Sequence, residues 1–300
     1  MGLDHFVSTK DGVLNIIDQL RGGAKSRLPY DQIRAVMSAL AKRGGVYQTY
    51  SIPVELPICR ARRLEDKKWF TSKDDLGPPP PKKTVAHGRC HQPKHPLCYC
   101  SLYEDAALAE VNAELGEHYV ISTFTMPKGI VLIPVGELDY FRRTGRTYIG
   151  HSNPQSAKPY EEALDKEDWS VRALIDAFLA DEFIKPATTQ TDYKITSAFS
   201  DVLLNGDLNP HTPIEAIVYP SVAFREGINF AVLSEVHKPE SGVKMMISRF
   251  QSLNLLQGVP PCRFSGTACW QGQAGAIFDA PQLCRHQQDL VAKGLQRDVL

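Results

Sequence analysis

The sequence predicts an α+β fold, and three observations carry that reading. Some segments place apolar residues at helical spacing, while others are short runs rich in β-branched residues and bounded by Pro and Gly. The two kinds mix without the strict alternation of a βαβ protein. No internal repeat or composition break divides the 300 residues, of which 43% are hydrophobic and 23% charged. That balance is ordinary for a globular protein with a sizeable core.

The totals also exclude function classes. Lys and Arg number 34, as do Asp and Glu, so the formal charge is zero. A nucleic-acid binder built on many phosphate contacts would be basic. No apolar run approaches the roughly 18 residues of a membrane span. The start, MGLDHFVSTKDG, lacks the charged and then apolar layout of a secretory signal. Seven cysteines are an odd number in a chain too large to need staples, so reduced thiols are expected. The expected setting is cytoplasmic, with no membrane or nucleic-acid partner.

The elements follow in order. Val13, Ile16, Ile17 and Leu20 predict a helix ended by Gly22-Gly23. Ile33, Val36, Met37 and Leu40 line a second, opened near Pro29 and closed by Gly44-Gly45. Residues 46–62 turn β-like, and Pro53 and Pro57 suggest an edge strand. Residues 67–83 read as loop, with polyproline II across Pro78 to Pro81. A strand from Leu97 to Leu102 then leads into a helix started by Glu104 or Asp105 and ended by Gly116. YVISTFTM and IVLIPV are strands around a turn at Pro127 to Gly129. Residues 136–160 read as loop, Glu161 to Phe183 as one helix, and Tyr193 to Leu204 as another. Strands follow at Glu215–Val222, Asn229–Val236 and Val243–Phe250, and a short helix closes the chain.

Chemistry concentrates around GRCHQPKHPLCYCSLYEDAALAEV, residues 88–111. A strand-to-helix junction brings capable groups to one rim of a sheet. Positions 106, 110 and 113 form one helical stripe, and two of them are Ala, which leaves a ligand room beside Glu110. Arg60 and Arg62, two apart on a strand, share a face and suit a phosphate or carboxylate. Arg89 follows a glycine that allows close backbone approach. Ser221 ends a β-prone run without the G-x-S-x-G elbow of a hydrolase nucleophile, so a substrate hydrogen bond is its better use. Cys90, His91, His95, Cys98 and Cys100 are all potential zinc ligands, although their spacing is not a knuckle pair. A non-catalytic zinc- or ligand-binding interaction module using Cys90, His91, His95 and Cys98 is therefore the alternative reading.

Five fragments in sequence resemble the RES family. They are Cys59-Arg60, Gly88-Arg89-Cys90-His91, Tyr99, Leu108-Ala109-Glu110-Val111, and Tyr219-Pro220-Ser221 with Gly227-x-Asn229. Two positions depart from the family pattern: Cys90-His91 stands where an aromatic-Asn pair is usual, and Cys59 where Tyr is usual. The resemblance implies a split β-sheet core with flanking helices like that of ADP-ribosyltransferases. It also implies cleavage of the nicotinamide–ribose bond of NAD, by glycohydrolysis, phosphorolysis or ADP-ribosyl transfer. Such an enzyme is often a growth-inhibiting toxin blocked by an Xre-like antitoxin protein. Arg60, Glu110 and Ser221 would then be the catalytic set, and Arg62, Arg89, Tyr99 and Asn229 would bind the dinucleotide. NAD is substrate here, and no metal or further cofactor is implied. The expected division is a helical extension over 1–50, a catalytic domain over 51–250, and a segment packed on it over 251–300.

Overall fold

The computed structural model describes residues 7–45, 49–64, 75–114, 117–149, 157–164, 166, 168–206, 208, 213–224, 227–233, 246–254 and 262–266. The strands are β1 (Tyr50–Ser51), β2 (Leu56–Arg63), β3 (Leu97–Ser101), β4 (His118–Met126), β5 (Val131–Pro134), β6 (Ala216–Pro220), β7 (Ile228–Leu233), β8 (Met246–Asn254) and β9 (Cys262–Gly266). The principal helices are α1 (Lys10–Gln19), α2 (Tyr30–Leu40), α3 (Glu104–Glu110), α4 (Glu137–Thr144), α5 (Lys158–Leu164), α6 (Trp169–Ile184) and α7 (Lys194–Leu204). The predicted C-terminal helix lies outside the described residues.

The strands form one mixed sheet in the order β1-β5-β6-β7-β3-β2-β4-β8-β9. Only β5 and β6 run parallel among these pairs. At its centre the sheet nearly divides. β2 and β3 meet only at Cys59↔Ser101, whereas β2 and β4 stay in register from Leu56↔Met126 to Arg63↔Tyr119. The result is two half-sheets hinged on one residue pair. This is an α+β fold with the split sheet of the ADP-ribosyltransferase kind.

Alternation along β3 sends Leu97 and Tyr99 to one face and Cys98 and Cys100 to the other. On the first face, Ile217 and Ala231 pack with α6 and α7 through Ile175, Phe178, Ile195 and Phe199. The second core draws on both half-sheets, with Ile58 and Phe124 meeting Cys98, Val218 and Phe230. Cys59, Cys90, Cys98 and Cys100 are all buried, and none is in a disulfide.

The N-terminal helices share the first core. Val13, Ile17, Leu20, Ile33, Met37 and Leu40 are at most 3% exposed and join the same cluster as the sheet. Full burial of such a side chain stabilises by about 1.5–3 kcal/mol. Ion pairs also reach across, among them Arg21–Asp181, Lys25–Asp192, Arg34–Asp201 and Arg43–Asp168. Partly exposed pairs contribute roughly 0–1 kcal/mol each, so packing is what holds these helices.

Several elements differ from expectation. β2 is interior to the sheet, yet Pro57 is tolerated because β3 ends at Ser101, leaving no partner on that side. β4 and β5 do not pair with one another; β4 lies between β2 and β8, and β5 between β1 and β6. The stretch 136–160, read as loop, contains α4 and the start of α5, and the expected 161–183 helix is two helices, α5 and α6. α3 stops at Glu110, well before Gly116, as Asn112 turns left-handed at φ 48°. Ala113 therefore lies beyond the helix, and the predicted stripe reduces to Ala106 and Glu110.

α4 owes its start to another helix. Gly136 offers no capping side chain, and buried Asp176 of α6 accepts from Gly136 N–H at 3.2 Å and Asp139 N–H at 2.7 Å. Burial pushes the Asp176 carboxyl up to about 7, against the pull of those two amides. Its folded-state value thus exceeds its unfolded one, so its stabilising contribution is full below about pH 4 and is lost as pH rises through 7. Half-buried His87 and His91 are shifted down and act oppositely, losing stability as pH falls through the ordinary imidazole range. The Asp176 contribution is therefore read as a difference. The unfolding free energy of the wild type minus that of Asp176→Asn, from urea titrations, should fall between pH 5 and pH 8. A pH-independent difference would show that the carboxyl stays ionised throughout.

Candidate functional site

The site is built where β3, β6 and β7 meet the end of α3. The registers Ser101↔Asn229 and Tyr219↔Asn229 set these three side chains in a row across one sheet face. Tyr99, two residues before Ser101, shares that face. α3 packs over the neighbouring part of it, with Ala107 against Cys59, Ala61 and Ile121. Its last residue, Glu110, is thereby delivered to the row.

Glu110 is held by one oxygen only. Ser221 Oγ–H and Asn229 Nδ2–H both donate to Oε1, each at 2.6 Å. Ser101 Oγ–H donates to Asn229 Oδ1 at 2.7 Å, and Phe224 N–H donates to Ser221 Oγ at 3.0 Å. A carboxylate only accepts, so it fixes the Asn229 amide with nitrogen toward Glu110 and oxygen toward Ser101. From the described residues, Oε2 receives no hydrogen bond, and Glu110 is exposed. One oxygen is anchored and the other faces outward, which leaves a fixed negative charge open to a ligand.

Tyr99 is tied at its hydroxyl. Cys90 N–H donates to it at 2.9 Å, and His91 Nδ1 lies 2.7 Å away. Burial raises Tyr99 and Tyr219 well above the ordinary phenol value and pushes the Cys90 thiol up to about 12, so all three stay protonated near neutrality. The turn from Gly88 to His91 is tight: Gly88 N–H donates to His91 O at 2.9 Å. A Cβ on Gly88 would meet His91 Cε1 at 2.2 Å and Nδ1 at 2.5 Å. Only glycine lets the imidazole lie against that backbone.

The arginines sit apart from Glu110. Arg60 and Arg62 alternate away from Cys59 and Ala61, so they occupy the face opposite α3, beside Cys100 and Cys98. Both donate to Gly77 O, Arg62 at 2.7 Å, and Leu76 and Gly77 are buried there. Burial and then the Arg60 charge bring Arg62 down to about 10. Two crowded guanidiniums on one backbone carbonyl retain a strong preference for an anion. Their place is at the split: beyond Cys59↔Ser101 the two strands no longer pair, and the structure does not bring these arginines together with Glu110. Arg89 points elsewhere. It donates to Phe183 O and, at 3.1 Å, to Lys185 O, and its guanidinium lies 5.6 Å from the Tyr193 ring centroid. It serves as a cation at the C-terminus of α6.

Sequence reasoning brought Glu110, Ser221 and Asn229 forward but missed Ser101, Tyr219 and the His91–Tyr99 contact. Ser101 was legible as the next same-face residue after Tyr99. The zinc-ligand types do not converge: Cys90 belongs to the first core and Cys98 to the second, on opposite faces. Among the described residues no group of three or more His, Cys, Asp or Glu is placed to hold a metal ion. Nor, among them, is any helix long and apolar enough to cross a membrane.

No curated protein and no solved structure matches the chain. A family model, that of the RES domain, matches residues 59–251, which spans β2 to β8 and every residue of the Glu110 network. This chain belongs to the RES domain family, a family associated with NAD-related toxin activity.

Proposed function

We propose that this chain cleaves the nicotinamide–ribose bond of NAD. The observation that supports it most is Glu110, pinned through Oε1 by Ser221 and Asn229 with Oε2 open at the rim. Nicotinamide in NAD is a cationic leaving group. When its bond to ribose C1 breaks, the electron pair stays on the ring nitrogen and neutralises it, so no protonating acid is needed. The positive charge passes to the ribose, as in glycoside cleavage. Glu110 Oε2 would stabilise that charge and grip a ribose hydroxyl more strongly in the transition state than before it. Tyr99, Ser221 and Asn229 would orient the nicotinamide ribose. Arg60 and Arg62 would take diphosphate oxygens in exchange for the Gly77 carbonyl. Arg89 would act at longer range, as a charge beside Tyr99. The acceptor is water, phosphate or a protein side chain. In the cell the protein would be a cytoplasmic growth-inhibiting toxin, held in check by an Xre-like antitoxin protein.

Purified protein incubated with NAD should release free nicotinamide in step with NAD loss. Running the reaction with and without inorganic phosphate, and identifying the other product by mass, separates the acceptors. Unchanged NAD at high protein concentration under every condition would overturn the proposal. In bacteria, expression should lower cellular NAD and arrest growth, while Arg60→Ala should be tolerated.

A further inference from the structure

The position that departs from the family pattern, His91, is in direct contact with a proposed substrate-orienting group. We propose that His91 is a positioning residue: its neutral ring turns the Tyr99 hydroxyl into an acceptor toward the site, so that acid switches NAD cleavage off. The rate clause rests on the function proposed above, whereas the geometry stands without it.

Hydrogen-bond bookkeeping at Tyr99 Oη carries the argument. The Cys90 amide can only donate, so it occupies one lone pair of the phenol oxygen. At 2.7 Å, His91 Nδ1 and the phenol share one hydrogen. If Nδ1 is bare, the phenol donates to it and the second lone pair of Oη remains for a substrate hydroxyl or amide. If Nδ1 carries a proton, both lone pairs are taken and the phenol hydrogen is turned outward. Protonating the ring therefore replaces an acceptor by a donor on the ligand side. It also adds a positive charge near the nicotinamide–ribose part of the substrate, which carries positive charge before and during bond cleavage.

The surroundings favour the bare Nδ1 at neutral pH. Burial disfavours the charged ring, His87 does so as well, and a hydrogen bond to the Ala86 backbone opposes them. The titratable and charged groups around the pair are His87, Arg89, Cys90, Tyr193, Tyr219 and, facing His87 from α7, Lys194. His87 is the one other imidazole among them; its Nδ1 meets Ser197 Oγ at 3.2 Å and its ring stacks on Tyr30. It is the control residue.

The test combines rates and a tautomer. Asparagine puts an amide oxygen close to where Nδ1 lies, so His91→Asn keeps the acceptor but cannot titrate. Nicotinamide release is followed from pH 5 to pH 8 for wild type, His91→Asn, His91→Leu and His87→Asn, with melting curves for each. The wild type and His87→Asn should lose about tenfold in kcat toward pH 5, the equivalent of one well-placed interaction. His91→Asn should match wild type at pH 7.5 and stay flat. His91→Leu should be lower by about tenfold at all pH values. An unchanged acid limb in a folded His91→Asn, or a folded His91→Leu at the wild-type rate, overturns the proposal. Nitrogen-15 correlation spectra of the protein without NAD should show the Nε2–H tautomer of His91 at pH 7.5, and an Nδ1–H tautomer also overturns it. A wild type inactive at every pH would sink the function proposed above, while the tautomer would still decide the orientation of Tyr99.

Discussion

Replacing Glu110 with Gln should leave NAD affinity within about threefold of wild type and lower nicotinamide release by on the order of a hundredfold or more. The geometry makes this variant informative. Ser221 and Asn229 both donate to Oε1, so the Gln amide must settle with its oxygen there. Its nitrogen then takes the outward position of Oε2. The fold keeps both donors satisfied, while the ligand side changes from a negative acceptor to a neutral donor. Losing a well-placed electrostatic group commonly costs about 3 kcal/mol in the transition state. On the proposed function, affinity would rest mainly on Arg60 and Arg62, which the change does not touch. Isothermal titration with NAD and a nicotinamide-release assay on one preparation read both quantities. A Gln variant that turns over like wild type would make Glu110 an ordinary surface glutamate. Loss of binding and rate together would make it a positioning group for the Ser221–Asn229 network.

The parts of this site legible in the sequence were those tied to local spacing. Arg60 and Arg62 share a face because they lie two apart on a strand, and the helix after Tyr99 delivers Glu110 because a strand-to-helix turn is local. What the sequence could not supply was pairing. Alternation says that Arg60 and Cys59 point oppositely, but only the register Cys59↔Ser101 reveals that the arginines lie across the sheet from α3. The single-pair contact between β2 and β3 is likewise a long-range outcome, invisible to periodicity. α4 reads as loop in the sequence because its start depends on Asp176, 40 residues away in sequence from Gly136. A helix whose cap is supplied by another helix carries no capping signal of its own. α3 was overextended for the opposite reason: Asn112, tolerant of left-handed backbone, ended it before the glycine that looked like the stop.

The junction before α4 gives the second large effect, this time on stability. Gly136→Ala should lower the unfolding free energy by about 2–5 kcal/mol, the sum of two costs. Gly136 sits at φ 78°, where a residue with a Cβ pays about 1–2 kcal/mol. A Cβ there would also stand 2.6 Å from Ala180 Cβ and 3.2 Å from Ala180 Cα, on the buried side of α6. Overpacking of that kind costs about 1–3 kcal/mol, because a helix anchored by Phe178, Leu179 and Phe183 has little freedom to withdraw. Any withdrawal would also pull Asp176 from the amides of Gly136 and Asp139, uncapping α4. For a chain of this size the melting temperature should drop by about 5–15 °C. Ala180→Gly removes the closest atom but adds the roughly 1 kcal/mol penalty of a helical glycine. The double variant should therefore be more stable than the two single costs predict, with a coupling of about 1–2 kcal/mol. Strict additivity would assign the whole effect to backbone strain at Gly136. A Gly136→Ala protein that melts like wild type would show that α6 yields at Ala180, so that the close approach of the two segments does not constrain the fold.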